Sequence, residues 1–303
     1  LPGSTYLVTR RCSERRFFLR PDAFVGLVFG YLLGVAAKRF DVEPHCAIVM
    51  GNHYHAVVTD WEGKLPRYLA WLHRLLAVVL NVYRGRWEAF WSSSKTSVVR
   101  LESPDDVLAK MTYVVGNAVA AGLVARASDW PGFATHPNEI AGARGVVFHR
   151  PDRYFHPKGG LPASIPLRFS KPPGFEGMTD EEFAGLLGEK LAELERRVGE
   201  VQESEDARAT RRERVCSVGW SDAPATPAPR RVRDPHIAAR DPEVRLHALL
   251  RLGTFRAEYR EASRRLRRGK RAPVFPAGTY MLRMTMGVRC HDPPPGSCWT
   301  RRP

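Results

Sequence analysis

Hydrophobic and polar positions along the first 135 residues switch repeatedly between a period of two and a period near 3.6, the signatures of strand and helix. Residues 4–10 alternate as a first strand. After a basic connection, Pro21 opens an apolar helix to about Arg39, in which Gly26, Gly30 and Gly34 recur every fourth residue and suit close packing onto a sheet. Residues 45–59 read as one β-branched strand. The run from Leu65 to Arg84, with Pro66 in its first turn and Leu69, Leu72, Leu76, Val79 and Leu80 at helical spacing, predicts a second helix, and residues 96–101 a further strand. Ser103 as N-cap, Pro104, and Asp105 and Asp106 in the first turn start a third helix, whose Val107, Met111, Val114, Val115, Ala118 and Gly122 make one apolar stripe. This order predicts an α+β fold, a small mostly antiparallel sheet with helices packed on one face.

Beyond residue 135 the pattern changes. Residues 136–177 are rich in Pro and Gly and read as an irregular linker, so three regions are expected: 1–135, 136–177, and a mainly helical, basic region 178–303. In the last, Thr179 and Glu182 form a capping box ahead of Phe183, Leu186, Leu187, Leu191 and Leu194, a helix expected to reach about Val201. Residues 221–229 read as a stiff Pro-rich linker, residues 242–268 as a long helix, and residues 274–288 as a docking tail.

Net charge changes this picture from a generic fold to an expected class of partner chemistry. The chain of 303 residues carries a formal +15, which favours a polyanion, because each neutralised phosphate releases counterions whatever the base sequence. Residues 241–271 hold ten Lys or Arg against four Asp or Glu. Candidate nucleic-acid contacts are Arg10, Arg11, Arg15, Arg16, Arg74, Arg84, Arg86, Lys95, Lys110, Arg264, Arg265, Arg267 and Arg268. Trp61, Tyr68, Trp71, Tyr83, Trp87 and Trp91 lie among such cations and can stack unpaired bases, although at least half are expected in the core. The apolar run 23–37 is short for a bilayer and interrupted by glycine, so no membrane partner is expected. Five cysteines without a CxxC pair suggest reduced thiols in a cytoplasmic protein; a zinc set from Cys290, His291 and Cys298 is disfavoured by the Pro-rich interval and the lack of a second pair.

Two features carry candidate chemistry. His53 and His55 are two apart on a strand, so both face one way with Cα atoms about 6 to 7 Å apart and can converge on a divalent cation. The plain structural alternative is a pair of half-exposed polar side chains. Tyr113 and Asn117 are four apart on a helix, away from its apolar stripe, so a phenol and a carboxamide can act at one site; the alternative is a packed Tyr and a surface Asn. Tyr54, between the histidines, should point to the opposite face and pack.

The segment Met50-Gly-Asn-His-Tyr-His-Ala-Val-Val58 resembles the histidine-hydrophobic-histidine strand of HUH single-strand endonucleases, in particular the IS200-like and REP-associated tyrosine transposases. Residues 113–124 look like their tyrosine helix, and Arg84, Gly85, Trp87, Phe90, Ser97, Val98 and Val99 fall where relatives carry similar residues. The resemblance spans roughly residues 5–135. Relatives usually have proline where this chain has Gly51 and Ala118. The resemblance implies a ferredoxin-like fold, a Mg²⁺ or Mn²⁺ ion on His53, His55 and Asn117, and Tyr113 as nucleophile forming a 5′-phosphotyrosine bond. It further implies single-stranded or hairpin DNA as partner, in a bacterial cytoplasm at the nucleoid, acting as monomer or homodimer. Alternatives are an inactive DNA-binding remnant, another HUH replication or relaxase-type nickase, and a metallohydrolase using Asp60 as base.

Overall fold

The computed structural model describes residues 1–142, 145–156, 158–199, 205–226, 235–269 and 273–294. In chain order the elements are β1 (Ser4–Arg11), α1 (Ala23–Phe40), β2 (Val42–Val49), β3 (His53–Asp60), α2 (Leu65–Tyr83), β4 (Ser97–Leu101), α3 (Pro104–Val115) and α4 (Asn117–Ala120). They are followed by α5 (Pro137–Ala141), β5 (Val146–His149), β6 (Ser164–Leu167), α6 (Asp180–Val198), α7 (Glu205–Ser217), β7 (Ile237–Ala238), α8 (Pro242–Arg267) and α9 (Tyr280–Met286). The fold is α+β. Its five-stranded sheet runs β2-β3-β1-β4-β7, antiparallel except for the parallel pair β4 and β7.

Residues 45–59 are not one strand. They split into β2 and β3 around a tight turn at 50–52, where the Met50 amide donates to the His53 carbonyl at 2.8 Å. Gly51 and Asn52 are the turn residues, overlooked inside a run of β-branched neighbours.

Helices do not lie on one face only. On β3 every residue but His53 is buried. Tyr54 points to one side, against Phe29 of α1 and His73 of α2, while His55 points to the other, against Tyr113 of α3. A strand apolar on both faces needs cover on both. Without it, either face would expose a hydrophobic surface of the sheet.

The linker region is also more ordered than its composition implies. Within it β5 and β6 pair antiparallel and pack on α1. Gly30 is the reason they can: a Cβ there would stand 2.3 Å from the Phe148 ring, and one at Gly34 would meet Ile165 at 3.1 Å. The predicted glycine contact with a sheet therefore exists, but the partner is this small hairpin. Helix α1 starts one residue after Asp22, whose carboxylate accepts from the Val25 amide, so Pro21 lies outside it. By length and composition α1 is apolar enough to cross a bilayer; here that apolar surface packs against α2, β2 and the hairpin.

Helix α6 begins at the predicted Thr179 and Glu182 box and ends at Val198; residue 201 lies outside the described residues. Phe183, Leu187 and Leu191 join the same core as the sheet, and Leu191 and Leu194 press on Gly116. Helix α8 is capped by Asp241, buries Ala248 and Ala262, and is tied to the end of β4 by Arg251 and Glu102 at 2.6 Å. Cys12, Cys46, Cys216 and Cys290 are free thiols, whereas Cys298, residues 227–229 of the predicted linker, and Lys270 and Arg271 of the basic run lie outside the described residues.

Candidate active site

Strand pairing builds the site. Antiparallel register sets Arg11 opposite His53 and Thr9 opposite His55, at the end of β1 and the start of β3. The two imidazole rings stand 4.7 Å apart, nearly perpendicular at 82°. Each has its Nδ1 occupied by an oxygen. The Asn52 amide nitrogen donates to the Arg15 carbonyl at 3.1 Å, which turns its oxygen to His53 Nδ1 at 2.7 Å, so Nδ1 is the donor and Nε2 keeps its lone pair. His55 Nδ1 bonds the Thr9 hydroxyl at 2.7 Å. Thr9 and Asn52 thus aim both Nε2 atoms, a role that sequence inspection missed. Asn52 could have been suspected from its place beside His53, but Thr9 depends on a register that no sequence pattern revealed.

Both histidines are held as neutral bases. Burial lowers His53 to about 4, with Arg11 adding to the effect. Burial, then His53, Arg11 and Lys110, push His55 well below the usual range. Neutral imidazoles with Nδ1 anchored are the form that binds a divalent cation through Nε2, so the pair fits such an ion. Among the described residues no three His, Cys, Asp or Glu side chains are placed to hold one metal ion, so further donors would be amide, water or phosphate oxygens.

Helix α3 supplies the phenol. Ser103 caps it through the Asp106 amide, and its stripe of Val107, Met111, Val114 and Val115 is buried, leaving Tyr113 42% exposed. The Tyr113 hydroxyl lies 3.4 Å from His55 Nε2, the rings are 5.2 Å apart, and Lys110 sits 5.8 Å from the phenol ring. Asn117 departs from expectation. The helix breaks at Gly116, so Asn117 begins the short α4 and is buried at 7% exposure, as His55 is at 6%, whereas Tyr113 is open. Its amide makes no hydrogen bond to either histidine or to Tyr113 among the described residues.

The expected cations fare unevenly. Arg10 donates to the Ser94 carbonyl and lies over Trp91. Arg11 is exposed beside the histidines, and Lys95 and Arg74 are also exposed. Arg15 and Arg16, with Arg20, donate to carbonyls of Thr226, Ser221 and Val218, so a C-terminal segment straps the basic connection. Arg84 is buried in an ion pair with Asp22 at 2.7 Å and cannot reach a DNA backbone in this structure. Arg86 stacks on Phe18. Arg264 and Arg265 pair with Glu261, while Arg267 and Arg268 are exposed at the end of α8. Of the six aromatics, Tyr68 alone is fully buried; Trp61, Trp71, Tyr83 and Trp91 are half-buried and Trp87 is 88% exposed, so fewer enter the core than expected.

No family model matches the chain, and no curated protein does. Among solved structures the chain matches a REP-associated tyrosine transposase bound to a REP hairpin, at 17% identity and a TM-score of 0.39, over 47% of this chain and 82% of that one.

Proposed function

We propose that this protein is a metal-dependent enzyme that nicks single-stranded DNA and rejoins it through a covalent bond to Tyr113. One observation carries the reading: an exposed phenol 3.4 Å from the Nε2 of one of two paired, neutral histidines. A bound Mg²⁺ or Mn²⁺, held by His53, His55 and, after a local adjustment, Asn117, would supply Lewis acidity toward the scissile phosphate. Tyr113 attacks phosphorus, the bond to the 3′ oxygen breaks, and the phenolic proton ends on that oxygen as a free 3′ hydroxyl. The 5′-phosphotyrosine conserves the phosphodiester's energy, so a 3′ hydroxyl reverses the step without ATP. Lys110 and Arg11 place positive charge beside the site where phosphate charge gathers. Hairpin DNA as substrate, bacterial origin and nucleoid localisation follow from the sequence resemblance, and the +15 charge agrees with such a partner.

The test is incubation with Mn²⁺ and end-labelled single-stranded hairpins, resolved under denaturing conditions. Label migrating with the protein, and lost in Tyr113→Phe, supports the proposal. Cleavage without an adduct would point to attack by water.

A further inference from the structure

Helix α3, which carries Tyr113, is gripped near both ends by segments from the C-terminal half of the chain. At its start the buried Asp106 carboxylate accepts the Ser103 hydroxyl and the Arg240 amide, both at 2.7 Å. At its far end Gly116, at φ −93° and ψ 7°, breaks the helix, and α6 lies on that joint. A Cβ at position 116 would stand 2.2 Å from Leu194 Cδ2 and 3.3 Å from Leu191 Cδ1, so the missing side chain is what lets both leucines sit there. Helix α6 is itself anchored. Phe183 and Leu187 are fully buried, and the Glu195 carboxylate accepts the Ala127 amide at 2.8 Å, just past α4.

The grip at the joint bears on the nucleophile. The Tyr113 hydroxyl is held loosely, 3.4 Å from His55 Nε2, so its place follows the path of α3 more than its own bonding. With Asp106 as the pivot, Gly116 lies about 15 Å and Tyr113 about 10 Å along the helix, at a rise of roughly 1.5 Å per residue. A shift of about 1 Å at the joint therefore moves Tyr113 by about 0.7 Å. Misplacement on that scale costs an in-line attack roughly ten- to a hundredfold.

We propose that Leu191 and Leu194 are positioning residues for the nucleophile: seated on Gly116, they fix the tilt of α3 that keeps the Tyr113 hydroxyl beside the histidine pair. This rests on the nicking function above. Helix α6 lies outside residues 5–135, so the C-terminal region acts on the site through apolar packing and needs no contact with DNA to do so.

The experiment measures the single-turnover rate of adduct formation per folded molecule at saturating Mn²⁺ and hairpin DNA, with hairpin affinity read separately by anisotropy. Leu194→Ala should slow the adduct step roughly tenfold or more and leave hairpin affinity within about twofold. Adding Gly116→Ala should restore part of the rate, because its methyl takes up space vacated by Leu194 Cδ2, and Leu194→Met should stay within about threefold of the unaltered chain. Phe183→Leu is the control for lost stability alone. It alters the same helix about 16 Å away, where Phe183 packs on Phe175, and should leave the rate within about twofold. A 3-fluorotyrosine at position 113 gives a readout without metal or DNA: its ¹⁹F shift should move in Leu194→Ala and stay in Phe183→Leu. A rate unchanged by Leu194→Ala, an equal loss in Phe183→Leu, or a ¹⁹F shift indifferent to Leu194 overturns the assignment. Adduct formation that ignores Leu194 removes this inference alone, whereas no adduct from the unaltered chain on any hairpin removes the nicking function and this inference with it.

Discussion

Two tyrosine–histidine pairs sit on opposite faces of β3. On the face covered by α1 and α2, Tyr54 bonds His73 Nε2 at 2.6 Å, with the phenol 1% exposed. On the other, Tyr113 meets His55 Nε2 at 3.4 Å, with the phenol 42% exposed. Both histidines are kept neutral by burial, His73 down to about 3. The partners are chemically alike, and what differs is access. Burial raises the Tyr54 phenol well above its ordinary range and no phosphate can approach it, so this pair is a core hydrogen bond. The open pair, flanked by Lys110 and Arg11, can meet an anion. A tyrosine between two histidines in sequence is thus the inert one, and the one 58 residues beyond His55 in the chain is the candidate nucleophile.

The contrast can be broken most sharply by exchanging phenols for phenyls. Tyr113→Phe should reduce covalent adduct by at least roughly a thousandfold and shift Tm by less than about 1 °C, since only a long, half-exposed hydrogen bond is lost. Next in size, Thr9→Val should weaken Mn²⁺ binding by about 10- to 100-fold, read from the Mn²⁺-induced rise in Tm, because it frees His55 to rotate. An unchanged Mn²⁺ response would remove Thr9 from the site. Tyr54→Phe should do the reverse of Tyr113→Phe. It should cost about 1 to 3 kcal/mol in urea unfolding by leaving His73 Nε2 unpaired, yet spare adduct yield per folded molecule. The smallest effect is a slope. His53 and His73 have folded values near 4 and 3, below the 6.5 of an unfolded histidine, so the unfolded chain binds more protons between those limits. Stability should be fullest above pH 6.5 and fall as pH drops toward 4 and then 3, and His73→Gln should lower the slope by about one proton.

Several elements were legible because their signals are local. The starts of α3 and α6 are written in Ser103 with the proline and two acids that follow it, and in the Thr179 and Glu182 box; α2 is written in its leucine spacing. The turn at Gly51 and Asn52 was hidden by its β-branched neighbours, and β5 and β6 by the prolines and glycines around them. Strand β7, two residues long, has no periodicity to detect and exists only because β4 offers an edge. At the site, the alternation of a strand is enough to put His53 and His55 on one side. What the helical wheel did not anticipate is the break at Gly116, which makes Asn117 the first residue of α4 and leaves it as buried as His55.

By itself, then, the sequence determined the α+β class, the starts of α2, α3, α6 and α8, the pairing of two histidines on one face, the outward side of α3 for Tyr113, and a strongly cationic chain. These follow from backbone periodicity, capping and charge, which act over a few residues. Tertiary structure decided the rest. It chose which tyrosine is open, supplied Thr9 and Asn52 to orient the imidazoles, buried Arg84 against Asp22, and folded Trp220 against a loop some two hundred residues earlier. Each of those outcomes depends on register and packing between segments distant in the chain, where the free energy belongs to the contact and not to either stretch alone.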